Sequence, residues 1–205
     1  MVQNKVLPGA YINFVSRPRV MGGLGERGVV CVGMELDWGS PGMMSVEAAE
    51  CRTDSRRLFG YDYADEKMKD MRELFLHAKR VKRYRLNGGE AAKATLGSLT
   101  ATAKYTGARG NDICVAVAAN VDEAGKYDVE TYLGTEQVDI QTVATIEELE
   151  DNGFVTFSGT GAPKATAGTY LTGGTTAATT GSGYTAFLEA AEAEDFNVLY
   201  FLVLV

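Results

Sequence analysis

Histidine occurs once in these 205 residues, at position 77. That scarcity excludes metal sites built on several imidazoles, and any Ser–His–Asp arrangement would have to pass through His77. His77 stands among Leu76, Ala78 and Lys79 on a predicted helix, a setting for a surface or packing role. Cysteine is nearly as sparse. Cys31, Cys51 and Cys114 are far apart, odd in number and without a C-x-x-C pair, so they read as small buried hydrophobes in a reducing compartment. Long apolar runs are missing too: the longest, 198–205, is far too short to span a bilayer, and MVQNKVLPG has no apolar signal-peptide core. Trp38 is the single tryptophan.

Positive charge is in deficit. The net charge of −7 argues against nucleic acid or an anionic membrane as partner, because a polyanion needs a basic footprint. Lys79, Arg80, Lys82, Arg83 and Arg85 form a local exception. They read as a solvated helix end running into a strand, with cations near the helix C-terminus, in preference to a phosphate site. A composition of 45% hydrophobic and 23% charged residues suits one large domain or two small ones.

Gly23-Leu-Gly25-Glu-Arg-Gly28 has the G-x-G-x-x-G spacing. A dinucleotide site requires those glycines to open a helix, whose N–H groups then face the pyrophosphate. Here they lead into Val29-Val30-Cys31-Val32 and an alternating stretch to Trp38, which is a strand pattern, so they read as a flexible turn. Before them, Leu7-Pro8-Gly9 makes a rigid bend and 10–15 is a short β-prone run stopped by Arg17-Pro18-Arg19. Such a tethered run can fold back or pair with the sheet edge of a neighbouring chain.

After the strand at 29–38, residues 43–60 carry short helical potential. A stronger helix is predicted over 65–80, with Met68, Met71, Leu74, Phe75 and Ala78 on one face and Asp62 or Asp65 as cap. A strand at 81–86 follows. Strands at 95–104, 112–119, 127–133, 136–143 and 154–158, separated by turn signals, suggest a β-sandwich or barrel-like unit. Thr145-Ile-Glu-Glu148 is a capping-box pattern. The Gly/Thr/Ala/Ser-rich stretch 159–183 reads as a linker or irregular loop, and a helix at 184–194 leads to an apolar strand from Val198, expected to be buried on both faces.

Two polar groups invite catalytic readings. Glu147, Glu148, Glu150 and Asp151 lie within one short helix and its turn, where they read as a solvated face. Gly107, Arg109, Gly110, Asn111 and Asp112 read as a structural turn, with Asp112 or Asn111 bonding backbone N–H groups and Arg109 pairing a carboxylate. A stand-alone β-rich module binding carbohydrate or peptide through 95–160 is the alternative reading, with no regular aromatic spacing behind it.

Several landmarks in order resemble the contractile-tail sheath proteins of phages, prophages and phage-tail-like bacteriocins. They are Lys5-Val-Leu-Pro-Gly-Ala-Tyr-Ile12, Arg27-Gly-Val-Val30 with Leu36-Asp-Trp-Gly39, and Arg85-Leu-Asn-Gly-Gly89 with Ala91-Ala92. Tyr105-Thr-Gly-Ala-Arg-Gly-Asn-Asp-Ile113 is the most specific, and Leu171-Thr-Gly-Gly-Thr175, Tyr184, Phe187-Leu188-Glu189 and Phe196-Asn197 complete the set.

The resemblance implies an α+β fold: a partial α/β core, an inserted all-β domain (sandwich or barrel-like) and an extended N-terminal arm. The implied divisions are an arm at 1–20, first core portion at 21–90, inserted domain at 91–170 and a return to the core at 171–205. Val6, Leu7, Pro8, Gly9, Ala10, Tyr11, Ile12 and Phe14 would form the subunit-linking arm, hinged at Gly22, Gly23, Gly25 and Gly28. Gly107, Arg109, Gly110, Asn111 and Asp112 would be the family-type structural turn. The implied partners are copies of the chain itself, in hexameric rings stacked as a helical sleeve, and an inner tail-tube protein. Direct nucleic-acid contact, membrane insertion, a cofactor and catalysis are not expected. Assembly is expected in the bacterial cytoplasm, and the product in a virion or phage-tail-like particle. Members of that family continue beyond residue 205, so the chain reads as an N-terminal portion whose missing part would complete the core.

Overall fold

The computed structural model describes residues 28–201. β1 (Val29–Met34) alternates between two apolar layers: Val30, Val32 and Met34 face one, Cys31 and Gly33 the other. Residues 43–60 divide, because the first part forms a strand, β2 (Gly42–Glu47), before α1 (Ala48–Thr53) and α2 (Ser55–Phe59). A 3-10 turn at Glu66–Met68 precedes α3 (Lys69–Leu74). The expected cap is Asp65, whose carboxylate accepts the Lys67 N–H at 2.9 Å. The helix is nevertheless shorter than 65–80. Lys79 and Arg80 donate their N–H groups to the Gly28 carbonyl at 2.8 and 3.1 Å, which starts β3 (Arg80–Arg85) and leaves no room for further turns. Met68, Met71, Phe75 and Ala78 are buried as the periodicity requires.

The basic cluster is not a solvated face. Strand alternation turns Val81, Arg83 and Arg85 into the interior, while Arg80 pairs with Glu47 at 2.9 Å and Lys82 with Glu194 at 2.7 Å. Arg83 Nη1 donates to the Ser40 carbonyl at 2.7 Å, and Arg85 Nη1 to the Gly39 carbonyl at 2.8 Å. Burial, with Arg85 close by, pushes the Arg83 guanidinium down to about 10. These two arginines hold the turn between β1 and β2.

β4 (Gly89–Glu90) links to the β-rich lobe. The expected single strand 95–104 is a hairpin of β5 (Lys93–Leu96) and β6 (Leu99–Ala103), with Leu96 opposite Leu99 across Gly97-Ser98. β7 (Ile113–Ala119), β8 (Tyr127–Leu133), β9 (Glu136–Val143) and β10 (Val155–Gly159) follow the predicted strands within a residue. The 159–183 stretch is not simply a linker: β11 (Thr166–Tyr170) pairs antiparallel with β7, and β12 (Thr175–Thr176) pairs with β4. Two sheets, ordered β10-β6-β5 and β11-β7-β8-β9, supply Leu96, Leu99 and Ala101 from one side and Ile113, Val115 and Val129 from the other to one core. Among the described residues neither sheet closes, so the unit is a sandwich and not a barrel.

α4 (Gly181–Glu192) begins earlier than 184 and buries Phe187 and Ala191. Phe187 occupies the space that the missing Cβ of Gly33 leaves open, since a Cβ there would come within 3.0 Å of its ring. β13 (Val198–Phe201) then lies parallel to β1, giving the order β13-β1-β3-β2 with α1–α3 on one face and α4 on the other. The expectation that this strand is buried on both faces fails. Val198 and Tyr200 are 52% and 48% exposed, because among the described residues β13 is the last strand of its sheet and the helices cover only its α4 side. The whole is a mixed α+β protein carrying a β-sandwich.

Burial raises all three thiols, Cys51 to about 11, while Cys114 alone is only half-buried. Alkylation of the native protein near pH 8 should therefore modify Cys114 first and reach Cys31 and Cys51 only on unfolding, as intact-mass measurements would show. Early modification of Cys51 would contradict the packing around α1.

Candidate functional site

Several polar and aromatic contacts between segments distant in sequence converge where the two lobes meet. Trp38, just beyond β1, has its side chain fully buried in the sandwich core. Its ring meets Tyr105 edge-on at 5.3 Å and stacks near Phe154 at 6.2 Å, and its indole N–H donates to the Arg57 carbonyl at 3.1 Å. A residue of the first lobe is thus part of the second lobe's interior.

The 107–112 turn closes over this plug. Gly107 has φ +130°, and a Cβ there would lie 1.9 Å from the Asp37 carbonyl oxygen. Its N–H donates to the Glu90 carbonyl at 3.0 Å. Arg109 stacks on the Tyr61 ring at 4.5 Å, donates Nε to the Gly60 carbonyl at 2.8 Å, and pairs through Nη1 with Asp112 at 2.8 Å. The carboxylate pairing expected of Arg109 is therefore intramotif. Tyr61 donates its hydroxyl to Asp37, and burial with that carboxylate holds the phenol well above its ordinary range. Asn111 does not bond the local backbone. Its side chain clasps Gly174, accepting the N–H and donating to the carbonyl, both at 2.8 Å. Gly110 is buried with its α-carbon side against Ala92 and Ala103, and the Ala108 N–H donates to Thr176 Oγ1 at 2.9 Å.

Five chain segments, around 37–38, 60–61, 90, 107–112 and 174–176, are thereby fastened together. The two-residue pairing of β4 with β12 runs through the same place. Arg109→Lys should cost about 1–2 kcal/mol, because lysine keeps the charge but loses the planar stack and the fork of donors. Asp112→Asn, on a half-exposed pair, should cost under about 1 kcal/mol. Urea titration of both variants checks the ranking.

Among the described residues no three His, Cys, Asp or Glu side chains stand together in a metal-holding group. A cleft of about 720 Å³ beside the joint is lined by Met34–Asp37, Asp65–Lys67 and Ala108. Three of its acids already serve: Asp37 accepts from Tyr61, Asp65 caps, and Glu35 accepts the Thr179 N–H at 3.2 Å. Glu147 accepts the Gly161 N–H, Glu148 that of Ala144 and Asp151 that of Phe157. Those acids are turn fasteners, not a merely solvated face. His77 is exposed.

Val6, Leu7, Pro8, Gly9, Ala10, Tyr11, Ile12, Phe14, Gly22, Gly23 and Gly25 lie outside the described residues. Gly28 is inside. It has φ +92° at the start of β1, and its carbonyl takes the two N–H groups of Lys79 and Arg80. Nothing in the sequence marks Asp37, Trp38, Tyr61, Gly174 and Thr176 as partners of the turn. Only the local motif is visible in the sequence, because its partners lie up to 72 positions away, as Asp37 does from Arg109.

A joint of this kind defines a structural subunit, a two-lobed α+β body whose most elaborate contacts serve to fix one lobe on the other. The comparisons with known proteins agree. A family profile described as the phage tail sheath protein beta-sandwich domain matches residues 87–177. The phage-like element PBSX protein XkdK of Bacillus subtilis (strain 168) is 36% identical over 217 residues, covering 96% of this chain and 46% of that protein. A crystal structure of a sheath tail protein from Desulfitobacterium hafniense superposes with a TM-score of 0.80 at 43% identity, over 93% of this chain and 45% of the other. One from Listeria innocua gives 0.76 at 37% identity, over 85% and 40%. The chain belongs to the phage tail sheath family, a family of structural components of phage tails and related particles. It spans about half the length of the curated relatives it matches.

Proposed function

We propose that these residues form part of a sheath subunit that polymerises with copies of itself around an inner tail-tube protein and contracts to drive that tube through a target envelope. The observation that carries the reading is the fastened joint in a chain of this family. A sleeve that shortens must transmit load between subunits, and a body whose two lobes share the Trp38 plug transmits it without yielding. In this reading the arm is 1–20, the first core portion 21–90, the sandwich domain 91–170 and the return to the core 171–205.

The subunits would stack as hexameric rings in a helical sleeve. Val6–Phe14 would add a strand to a neighbour's sheet, with Gly22, Gly23, Gly25 and Gly28 as the hinge. Ladder hydrogen bonds suit that role, since they survive rigid-body motion of the bodies they join. The work comes from a metastable lattice, with no catalysis and no cofactor. Assembly takes place in the bacterial cytoplasm.

Negative-stain microscopy with sedimentation, on the purified chain mixed with isolated tail tubes at low and high protein concentration, tests this. Stacked rings or sleeves on the tubes are the expected result. Monomers that leave the tubes bare under every condition would remove polymerisation from the assignment.

A further inference from the structure

Arg83 and Arg85 lie two positions apart on β3, about 7 Å at their α-carbons, and point to the same side of the sheet. Arg83 is fully buried and Arg85 is 4% exposed. Their hydrogen bonds go to neutral acceptors. Arg83 donates to the Ser40 carbonyl, to Ser40 Oγ and to Met44 Sδ, and its guanidinium lies 5.7 Å from the centre of the Phe59 ring. Arg85 donates to the Gly39 carbonyl. Three donors are left over: Arg83 Nε, Arg85 Nε and Arg85 Nη2 are buried without an acceptor. In Arg85 the two belong to one edge, the edge by which a guanidinium grips an anion side-on with parallel N–H groups. We propose that Arg85, with Arg83 beside it, holds one small monovalent inorganic anion in the interior of the first lobe.

Charge is the first argument. Among the described residues Asp37 is the one carboxylate whose charge acts on the pair, and it accepts the Tyr61 hydroxyl and neither guanidinium. Two cations against one carboxylate leave one positive charge over. A buried lysine or histidine escapes that position by losing its proton. Arginine does not. Burial, with Arg85 close by, brings Arg83 down only to about 10, so it keeps its charge at neutral pH. Water could accept the three N–H groups, but it carries no charge to set against the excess. A monovalent anion does both.

Space is the second argument. Gly42 stands opposite Arg85 in the β2–β3 ladder, where cross-strand neighbours share a face. It brings no side chain there, and a Cβ at that position would meet nothing within 4 Å. Gly42 is half-buried and Pro41 next to it is exposed, which gives an ion a short way in. The near-complete burial of both arginines leaves no opening of the size that a side chain on another backbone would need, so the occupant is a free ion.

Urea unfolding of the intact 205-residue chain at constant ionic strength is the test, with chloride as the probe. Chloride is raised from about 10 to about 100 mM in exchange for gluconate, whose anion is too large for the site. Guanidinium chloride is unsuitable because it brings the ion with it. A site half-filled at or below about 10 mM chloride lowers the unfolding equilibrium constant about fivefold to tenfold over that range, because only the folded chain binds the ion. Arg85→Met removes the open edge and the excess charge together, and its unfolding should not depend on chloride. A change of less than about twofold in the parent overturns the proposal and leaves water on the three donors. So does an equal chloride dependence in Arg85→Met, which would put the ion elsewhere on the chain. Where that variant does not fold, Met34→Glu takes its place. Met34 lies beside Arg85 on β1, so the new carboxylate should stand in for the ion and abolish the chloride dependence, while Met34→Gln keeps it. Chloride dependence that persists in Met34→Glu overturns the proposal as well.

Discussion

Trp38→Ala is expected to lower the unfolding free energy by about 3–5 kcal/mol, at the upper end of what single core truncations cost. The indole is fully buried, packs on Tyr105 and Phe154, and among the described residues is the one from before position 90 in the buried sandwich cluster. Removal leaves a cavity between two sheets whose strands are fixed by their own ladders, so the site cannot collapse. It also frees the Arg57 carbonyl from its donor. For a protein of this size the midpoint should fall by about 10 °C. The shape of the transition carries more information than its position. The first lobe has its own cores around Val32, Val46 and Phe59 and around Cys31 and Phe187, so loss of the plug should divide one calorimetric transition into two. A single transition shifted by less than about 1 kcal/mol would mean that the lobes are held elsewhere. Trp38→Phe, which keeps a ring but not the donor, should fall between the parent and alanine.

The sequence displays the parts of this molecule that follow from local periodicity. Met68, Met71, Phe75 and Ala78 mark a buried helical face, and the four strands from β7 to β10 sit where alternation and turn residues put them. The failures each have a physical origin. The hairpin of β5 and β6 looks like one strand in sequence, although its buried residues change parity, from Ala94 and Leu96 to Leu99, Ala101 and Ala103. A change of parity around one glycine is the signature of a two-residue turn. β11 is concealed because Thr166-Ala-Gly-Thr-Tyr170 is an exposed edge strand with no buried apolar face to show. Arg83 and Arg85 carry the signature of solvated residues because charge is normally exposed, yet strand alternation aligns them with buried Val81. The 107–112 turn was recognised as structural, but its partners at Asp37, Gly60, Glu90 and Gly174 are brought in by topology alone. No local pattern encodes them.

Gly107→Ala should be among the most damaging single methyls that the joint can receive. At φ +130° the backbone is outside what L side chains adopt, and the added Cβ would lie 1.9 Å from the Asp37 carbonyl oxygen and 2.5 Å from its carbon. Backbone atoms cannot rotate away as a side-chain tip can, so the turn must be displaced. Displacement strains the bond from Gly107 N–H to Glu90, the Arg109 contacts with Gly60 and Tyr61, and the Asn111 clasp on Gly174 together. Conformational strain of about 1–3 kcal/mol with several hydrogen bonds near 1 kcal/mol each sets the loss above about 4 kcal/mol, enough to collapse soluble yield. Gly125→Ala is the control. Gly125 also has positive φ, +88°, but its Cβ would meet nothing within 4 Å, so only the conformational cost of about 1 kcal/mol remains. Chemical denaturation of the two variants separates left-handed backbone from close approach. If both lose the same amount, the joint yields by an ångström without penalty, and it could not transmit load from one lobe to the other. If Gly107→Ala fails while Gly125→Ala folds, the contact between the 107–112 turn and the Asp37 carbonyl is what makes two lobes one body.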